Sequence, residues 1–350
     1  MSYPVDEILK VLIVAAICFM IALMWTPALI RWLKKKKMGK SIRDASSAPV
    51  MAHFHAAKAG TPTMGGLVIW VTVLAVIVLL HYGCTLFGIG TVCYLNFLSR
   101  GQTLLPLGAF VAAALVGLLD DYLNIKKIGP KGGGLRVRHR LMSYSLIALG
   151  AAWWFFSKLD WDAIHIPFDG DLSLGWWYIP FFAIVIVATS FSVNETDGLD
   201  GLAGGTLLAA FGAYGVIAFS QGKIDLAVFC AAIVGALLAF VWHNITPAAF
   251  FMGDTGAMAM GTVLGVVAML TNQPLLLFII GLPFVIESGS VLLQVTSKKL
   301  RGGKKIFKSS PLHHHFEAIG WGEPKIVMRF WVLAFVCAAV GTAIALVDKM

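Results

Sequence analysis

Residues 11–30 read VLIVAAICFMIALMWTPALI, and residues 31–37 continue as RWLKKKK. The first stretch carries no charge, and its length matches the roughly 20 residues that an α-helix needs to cross the hydrocarbon core of a bilayer. The second stretch places basic residues directly at the end of the first. An uncharged segment followed by a basic cluster predicts a membrane helix whose C-terminal end faces the cytoplasm.

The composition of the whole chain agrees with this prediction. Of 350 residues, 59% are hydrophobic and only 13% are charged, and the mean hydropathy is +0.83. The charged fraction is about half of the roughly 25% that is usual in soluble domains. An ordinary globular enzyme, a coiled coil and a disordered chain are therefore excluded, and we expect an integral membrane protein.

Ten apolar segments divide the chain, and no long soluble insert or repeat separates them. They predict an all-α protein with ten transmembrane helices in a single integral membrane domain, residues 1–350. Asp6 and Glu7 precede the first segment and no small-residue cleavage site follows it, so we interpret it as a retained span. The segments cover residues 11–30, 66–80, 103–119, 142–157, 176–192, 207–220, 226–242, 256–270, 275–295 and 326–347.

The distribution of basic residues predicts the orientation. The odd-numbered loops and their flanks hold 22 of the 27 Lys and Arg residues. The positive-inside rule places these loops in the cytoplasm and both termini outside. Topology and attraction to anionic lipids explain the net charge of +9 without a nucleic-acid partner. The remaining basic residues are Lys10, Arg100, Lys158, Lys223 and Lys349.

The five cysteines do not show the spacing of a metal site. Cys84 and Cys93 fall in one outer loop, where a disulfide is conceivable but is disfavoured by the odd number of cysteines and the apolar setting, and the other three lie inside predicted spans.

Acidic residues at the cytoplasmic ends of spans are the more informative feature, because burying them near a bilayer needs a reason. Asp120 and Asp121 are adjacent in GLLDDYLNIKK, where a solvated span boundary is the alternative interpretation. In the fifth loop, SVNETDGLDGLAGG, the i, i+3 spacing would place Asn194, Asp197 and Asp200 on one face if a helix begins at this stretch. No basic residue lies between positions 176 and 205 to neutralise them, and the glycines allow backbone amides to approach a ligand.

The seventh loop, WHNITPAAFFMGDTGAMAMG, adds Asn244, Phe251 and Asp254. Asp254 lies where a helix begins, so a simple N-terminal cap is the alternative to a functional role. Carboxylates in three separate cytoplasmic loops favour a shared site. Oxygen ligands without cysteine suit Mg²⁺ or Mn²⁺, and Mg²⁺ in turn indicates a phosphate substrate.

Two further loops carry basic or polar groups. The ninth, IFKSSPLHHHFEAIGW, contains three consecutive histidines, which cannot all face one way on a helix, so a three-histidine zinc site is disfavoured. Hydrogen bonding to a substrate and a loop without function both remain open. The first loop, HAAKAGTPTMGG, places His55, Lys58 and Thr63 before the second span, and Lys58 is a candidate phosphate contact.

Taken together, these motifs resemble the polyprenyl-phosphate N-acetylhexosamine phosphate transferases over nearly the whole chain. KAGTPTMGG, GLLDDY, NETDGLDGLAGG, NITPAAFFMGDTG, ESGSVLLQ and PLHHHFE occur in the order of that family. PLHHHFE is typical of its muramoyl-pentapeptide branch. The resemblance implies ten helices, a homodimer and an active site in a cytoplasmic cleft of the bacterial inner membrane.

The resemblance also implies an activity. The family member would transfer phospho-N-acetylmuramoyl-pentapeptide from UDP-MurNAc-pentapeptide to undecaprenyl phosphate, a membrane lipid, and so form lipid I and UMP. Mg²⁺ would be the cofactor, with Mn²⁺ as a substitute. The catalytic residues carried over by motif are Asp254, as the metal ligand, and the acidic pair Asp120 and Asp121 at the reacting phosphates.

The resemblance assigns substrate contacts to thirteen residues. Asn194 and Asp197 would line the site, Gly198, Leu199 and Asp200 would lie near uracil, and Phe251 would stack beneath that ring. The further contacts are Lys58, Thr63, Asn244, Gln294, His313, His314 and His315. The sequence departs from the family pattern at Ala48-Pro49, at Ala257 and at the additional acid Glu195.

Alternatives remain at this point. A relative that transfers N-acetylglucosamine phosphate to the same lipid is the nearest one. A transporter or channel also fits ten spans and the mid-span acid Glu287, although the other acids cluster in loops. For the transferase, direct attack by the lipid phosphate and a covalent phospho-enzyme are both open, and we favour direct attack.

Overall fold

The computed structural model describes residues 5–39, 58, 60–130 and 133–349, and within these ranges the chain is almost entirely helical. The helices are α1 (Val5–Lys35), α2 (Leu67–Phe87), α3 (Gly90–Leu95), α4 (Leu104–Ile125), α5 (Val137–Lys158), α6 (Tyr178–Thr196), α7 (Leu202–Ser220), α8 (Ile224–Asn244), α9 (Gly253–Leu270), α10 (Leu277–Ile280), α11 (Leu282–Leu300), α12 (Leu312–Ala318) and α13 (Glu323–Asp348). His55 and the Ala48-Pro49 departure lie outside the described residues.

Helix α9 is the centre of the bundle. It packs against α4 on one side and α6 on the other. Within its most apolar window 94% of the residues are buried, compared with 17% in α1 at the periphery. Because α9 begins at Gly253, the residues of its first turn are surrounded by the ends of neighbouring helices.

A glycine brings α4 close to the start of α9. A Cβ atom at Gly117 would lie 2.2 Å from the carbonyl oxygen of Asp254. Only a residue without a side chain permits this approach, since no real Cβ atom is found so near a backbone oxygen. Asp120 and Asp121 follow within one helical turn, so this contact places both acids beside the first turn of α9.

The prediction of an integral membrane protein is confirmed, whereas the count of ten spans is not. Within the described part of the chain, eight helices are long and apolar enough to cross a bilayer, and a ninth span is added if one bent pair is counted. The remaining predicted segment, residues 142–157, is helical as part of α5, but this helix is not apolar enough to count as a membrane span. Serine and tryptophan residues and a terminal lysine lower its mean hydropathy.

The predicted span at residues 275–295 is not one straight helix. Residues Pro274–Ile280 and α11 meet at an angle of 85°. The break lies at Gly281, where a Cβ atom would approach the Leu277 carbonyl oxygen to 2.8 Å. The bend turns α11 toward the end of the bundle where α12 lies.

The all-α prediction missed a small antiparallel hairpin formed by β1 (Ala163–Ile166) and β2 (Gly170–Ser173), in which Ala163 pairs with Ser173. Four-residue strands are too short for their alternation to be recognised in sequence. His165 contacts Asp171 and Asp348 at 2.7 and 2.6 Å, which ties the hairpin to α13. Burial lowers the pKa of His165, but these two carboxylates outweigh it and raise the pKa above the usual value of 6.5.

A disulfide joins Cys84 and Cys93. The sequence disfavoured this bond, and the structure corrects that expectation: the bonded pair connects the end of α2 to α3.

We predict that Gly117→Ala separates α4 from α9. The added methyl group meets a backbone oxygen that cannot move aside, and overpacking of this kind costs about 1–3 kcal/mol. The melting temperature in detergent should fall. Gly108→Ala on the same helix is the matched control, because no heavy atom lies within 4 Å of its Cβ position. Equal melting temperatures for the two variants would contradict the close approach.

Candidate active site

Two buried carboxylates from different helices share one guanidinium group. The Nε atom of Arg140 lies 2.5 Å from Oδ2 of Asp120, and its Nη2 atom lies 3.1 Å from Oδ2 of Asp254. The Asp120 side chain is fully buried and that of Asp254 is 15% exposed. Asn194 completes the group, since its amide nitrogen donates to Oδ1 of Asp254 at 2.6 Å. Helices α4, α5, α6 and α9 therefore converge on one acidic cluster.

Asp121, the second member of the predicted acidic pair, points elsewhere. Its Oδ2 atom accepts a hydrogen bond from the backbone nitrogen of Thr255 at 3.0 Å, and its Oδ1 atom accepts one from the hydroxyl of Thr63 at 3.4 Å. Asp121 thus satisfies a free N–H group in the first turn of α9. The adjacent acids Asp120 and Asp121 have different partners, and both are held at the same helix start.

A short backbone pairing connects the first loop to this cluster. The nitrogen of Phe251 donates to the Pro62 carbonyl at 2.8 Å, and the nitrogen of Gly65 donates to the Phe251 carbonyl at 2.7 Å. Gly65 has no room for a side chain, because a Cβ atom there would lie 1.9 Å from the Phe250 ring. Residues 62–65 are consequently fixed alongside residues 250–254.

Lys58 lies at the head of this segment between two carboxylates. Its Nζ atom is 2.7 Å from Asp200 and 2.5 Å from Glu323. Glu323 also accepts a hydrogen bond from the backbone nitrogen of Asp200 at 2.7 Å. The same ammonium group lies 5.9 Å from the centre of the Phe251 ring. The fifth loop, the first loop and the seventh loop meet at this lysine.

Asn244 fixes the backbone around this second cluster. Its amide oxygen accepts from the nitrogen of Gly201 at 2.9 Å, and its amide nitrogen donates to the Phe250 carbonyl at 2.8 Å. Asp200 accepts from the nitrogen of Ala248 at 3.0 Å. Asn244 and Asp200 therefore hold the loop before α9 against the loop before α7, while the Phe251 ring remains partly accessible.

The three histidines on α12 have three different environments. His313 is fully buried against Glu287, with its Nδ1 atom 2.9 Å from the carboxylate. His314 contacts Glu317 on its own helix at 2.6 Å. The Nδ1 atom of His315 accepts from the backbone nitrogen of Lys308 at 3.1 Å. The expectation that consecutive histidines cannot converge on one zinc ion agrees with this arrangement, since each ring has its own partner.

Four further predicted contacts lie near the histidines or the ends of the helices. Gly198 adjoins the ring of His313. The single helix face expected for Asn194, Asp197 and Asp200 is wrong, because α6 ends at Thr196 and α7 begins only at Leu202. Leu199 is buried in a small apolar cluster with Leu202 and side chains of α13. The amide of Gln294 is occupied by the backbone of residues 306 and 307, at 2.8–3.1 Å, so it shapes the ninth loop.

The acidic cluster has the donor chemistry of an Mg²⁺ site without forming a complete one. Among the described residues no group of three or more His, Cys, Asp or Glu side chains is arranged to hold a metal ion. Asp120, Asp254 and Asn194 nevertheless bring hard oxygen atoms to one guanidinium. Mg²⁺ is commonly bound by one or two carboxylates together with substrate phosphates, so these residues fit that ion.

Sequence reasoning missed two residues of the site. Arg140 was counted only among the cations that set orientation, but it is the last cation before the apolar part of α5 and therefore lies near the span ends. Glu323 was not singled out, although an acid in the first turn of α13 was visible in the sequence. What the sequence does not show is that this acid reaches Lys58, which is 265 residues away.

The fold and the site define a helical, multi-span membrane protein with a buried acidic cluster and a separate lysine–carboxylate cluster at the ends of its helices. Comparison with known proteins agrees with this class. The model of glycosyl transferase family 4 matches residues 103–272, and signature 1 of the phospho-N-acetylmuramoyl-pentapeptide-transferases matches residues 58–69.

Three relatives carry the name phospho-N-acetylmuramoyl-pentapeptide-transferase. The Chloroflexus aurantiacus protein is 38% identical over 98% of this chain and 91% of its own length. The Geobacillus thermodenitrificans protein is 40% identical over 95% of this chain and 96% of its own, and that of Bacillus anthracis is 39% identical over 94% and 96%. The chain belongs to the phospho-N-acetylmuramoyl-pentapeptide-transferase family.

We predict that Arg140→Lys disrupts the acidic cluster. A lysine is a single point charge and does not contact two carboxylates in the forked geometry of a guanidinium. Turnover should fall at least about tenfold, which corresponds to roughly 1.4 kcal/mol of the barrier. The exposed Arg138 provides the control, Arg138→Lys, two positions away on the same helix. Full turnover in Arg140→Lys would show that the shared guanidinium has no role.

Proposed function

We propose that this protein transfers phospho-N-acetylmuramoyl-pentapeptide from its UDP carrier to undecaprenyl phosphate, with lipid I and UMP as products. Family membership over 98% of the chain supports the activity. The observation that links this activity to particular residues is that Asp120 and Asp254 both contact Arg140 at the ends of membrane helices. Undecaprenyl phosphate is anchored in the membrane, so the residues that act on its phosphate must lie at the membrane surface, where these helices end.

The reaction brings two anions together, and their repulsion is its first barrier. In the proposed direct route, an oxygen of the lipid phosphate attacks the phosphorus that bears the sugar. The bond from that phosphorus to the oxygen shared with the uridine phosphate breaks, and UMP leaves with the bonding electrons. The lipid phosphate and the sugar phosphate are then joined as a diphosphate.

We propose Mg²⁺ as the cofactor, held by Asp254 with Asp120 and Asn194 beside it, and with Mn²⁺ as a substitute. When bound, the ion neutralises charge on the diphosphate oxygens. Arg140 contacts both carboxylates and keeps them from repelling each other while no substrate is present. Asp121 holds the start of α9 in place through the nitrogen of Thr255. Should the lipid phosphate arrive protonated, we propose that Asp120 or Asp121 accepts the proton.

The lysine–carboxylate cluster is the proposed site of the UDP carrier. Lys58 offers a cation, the partly accessible Phe251 ring offers a stacking surface, and Asp200 lies between them and the loop before α9. Glu323 neutralises Lys58 in the free protein and orients Asp200 by accepting from its backbone nitrogen. The remaining substrate contacts follow the predicted set, with Thr63, Asn194, Asp197, Gly198, Leu199, Asn244, Gln294 and the three histidines around the cleft.

The finer topology is also a proposal. We place ten helices in the bacterial inner membrane, with both termini outside and the site facing the cytoplasm, in a homodimer. The disulfide between Cys84 and Cys93 supports this orientation, because disulfides persist outside the reducing cytosol and these cysteines fall in a predicted outer loop. The distribution of basic residues supports it independently.

The activity is tested with purified protein, undecaprenyl phosphate and either UDP-MurNAc-pentapeptide or UDP-N-acetylglucosamine. UMP should be released from the first donor in the presence of Mg²⁺ and not in the presence of EDTA. Thin-layer separation of the lipid product distinguishes the two sugar donors. Release from UDP-N-acetylglucosamine alone would support the alternative transferase, and release from neither donor would refute the proposed activity.

We predict that Asp254→Asn abolishes turnover while the protein remains folded. The substitution preserves shape but removes one negative charge from the proposed metal ligand. The control is Asp169→Asn on the exposed hairpin, which removes the same charge far from the cluster. Turnover of UDP-MurNAc-pentapeptide and the melting temperature should be measured for both variants. Near-normal turnover in Asp254→Asn would refute the metal role.

A further inference from the structure

One buried carboxylate has no part in the proposed reaction. Glu287 lies on α11, six residues after the break at Gly281, and its side chain has no exposed surface. A carboxylate in such a position carries a large desolvation cost unless it is paired. In the sequence alone, this acid was the feature that favoured a transporter. The structure gives it a different explanation.

Both oxygens of Glu287 are directed at a single residue. Its Oε2 atom lies 2.9 Å from Nδ1 of His313, and its Oε1 atom accepts from the backbone nitrogen of His313 at 3.2 Å. The carboxylate therefore holds the ring and the main chain of the same residue. Two contacts to one residue fix its orientation more firmly than a single contact.

This geometry selects one tautomer of the ring. An ionised carboxylate only accepts hydrogen bonds, so Nδ1 of His313 must carry the hydrogen. In the neutral ring, the lone pair then lies on Nε2. Nε2 is buried and has no hydrogen-bond partner among the described residues. A buried acceptor without a partner is rare in folded proteins and indicates a place that a ligand fills.

Gly198 determines where Nε2 points. A Cβ atom at this position would lie 2.2 Å from Nε2, so only glycine leaves room for the ring. Gly198 stands in the NETDGLDG motif, two residues before Asp200, which contacts Lys58. The free nitrogen of His313 therefore faces the loop that belongs to the lysine–carboxylate cluster.

We propose that Glu287 is a positioning residue, which holds His313 so that Nε2 accepts a hydrogen bond from an N–H or O–H group of the UDP-sugar. This proposal rests on the proposed function for the identity of the substrate. Glu287 itself does not touch the substrate and acts only through His313. The same contact fastens the short helix α12 to α11.

The test compares Glu287→Gln, His313→Ala and the double variant. Glutamine has the same size but presents an N–H group where a carboxylate oxygen accepted, so one of the two contacts is lost. Partners that orient functional histidines at metal sites typically contribute about 10-fold to 100-fold, and we expect a rise of the KM for UDP-MurNAc-pentapeptide by at least about tenfold. The kcat should change by much less, because the lost contact serves binding.

The double variant separates positioning from stability. If Glu287 acts only through His313, Glu287→Gln adds no further rise of KM once His313 is alanine. Tyr214→Phe is the control for removing a buried hydrogen bond elsewhere, since the Tyr214 hydroxyl donates to the Gln273 carbonyl at 3.0 Å. It should leave KM unchanged. Additive effects of the two substitutions, or an unchanged KM in Glu287→Gln, would overturn the proposal.

A second measurement does not depend on turnover. In protein labelled with 15N-histidine, the His313 signal, assigned by its loss in His313→Ala, should show a protonated Nδ1 and an unprotonated Nε2. Glu287→Gln should convert it to a mixture of tautomers. Failure of UMP release with this spectrum intact would refute the proposed function but not the positioning contact. An unprotonated Nδ1 in the original chain would refute the positioning contact directly.

Discussion

The constraint on which the site depends is the burial of like charges at one helix start. Asp120 and Asp254 come from helices 134 positions apart in the chain and would repel each other without compensation. Arg140 contacts both, and the close approach of α4 to α9 at Gly117 brings the two acids near each other. Separating two buried carboxylates from their shared cation is costly, so the cluster is stable only while a cation lies between them.

The loops that carry the site residues are fixed to one another by backbone hydrogen bonds. Residues 62, 65 and 66 hydrogen-bond with residues 251 and 252, and this pairing positions Lys58 beside Phe251. Lys58 also contacts Asp200 in the fifth loop and Glu323 in the last helix. Four stretches that are far apart in sequence thus meet at one ammonium group. We interpret this cluster and the acidic cluster as the places of the two reacting partners.

The sequence predicts the membrane class and the identity of the acids, because charge at the end of an apolar segment is visible residue by residue. It does not predict which acid faces which partner. Asp120 and Asp121 are adjacent and look equivalent, yet Asp120 contacts the Arg140 guanidinium, whereas Asp121 contacts the Thr255 nitrogen and the Thr63 hydroxyl. Gln294, a predicted substrate contact, also hydrogen-bonds to the backbone of the ninth loop, which its position in the sequence does not show. Such differences arise from long-range packing, as does the contact between Glu287 and His313, and local patterns do not encode them.

The central claim is that Asp120 and Asp254 share one divalent cation. Electron paramagnetic resonance of Mn²⁺ added to the detergent-solubilised protein tests it without any substrate turnover. The account predicts a bound population that is lost in Asp120→Asn and in Asp254→Asn, and that persists in Asp169→Asn. Bound Mn²⁺ that is equally abundant in the original chain and in both site variants would contradict the claim.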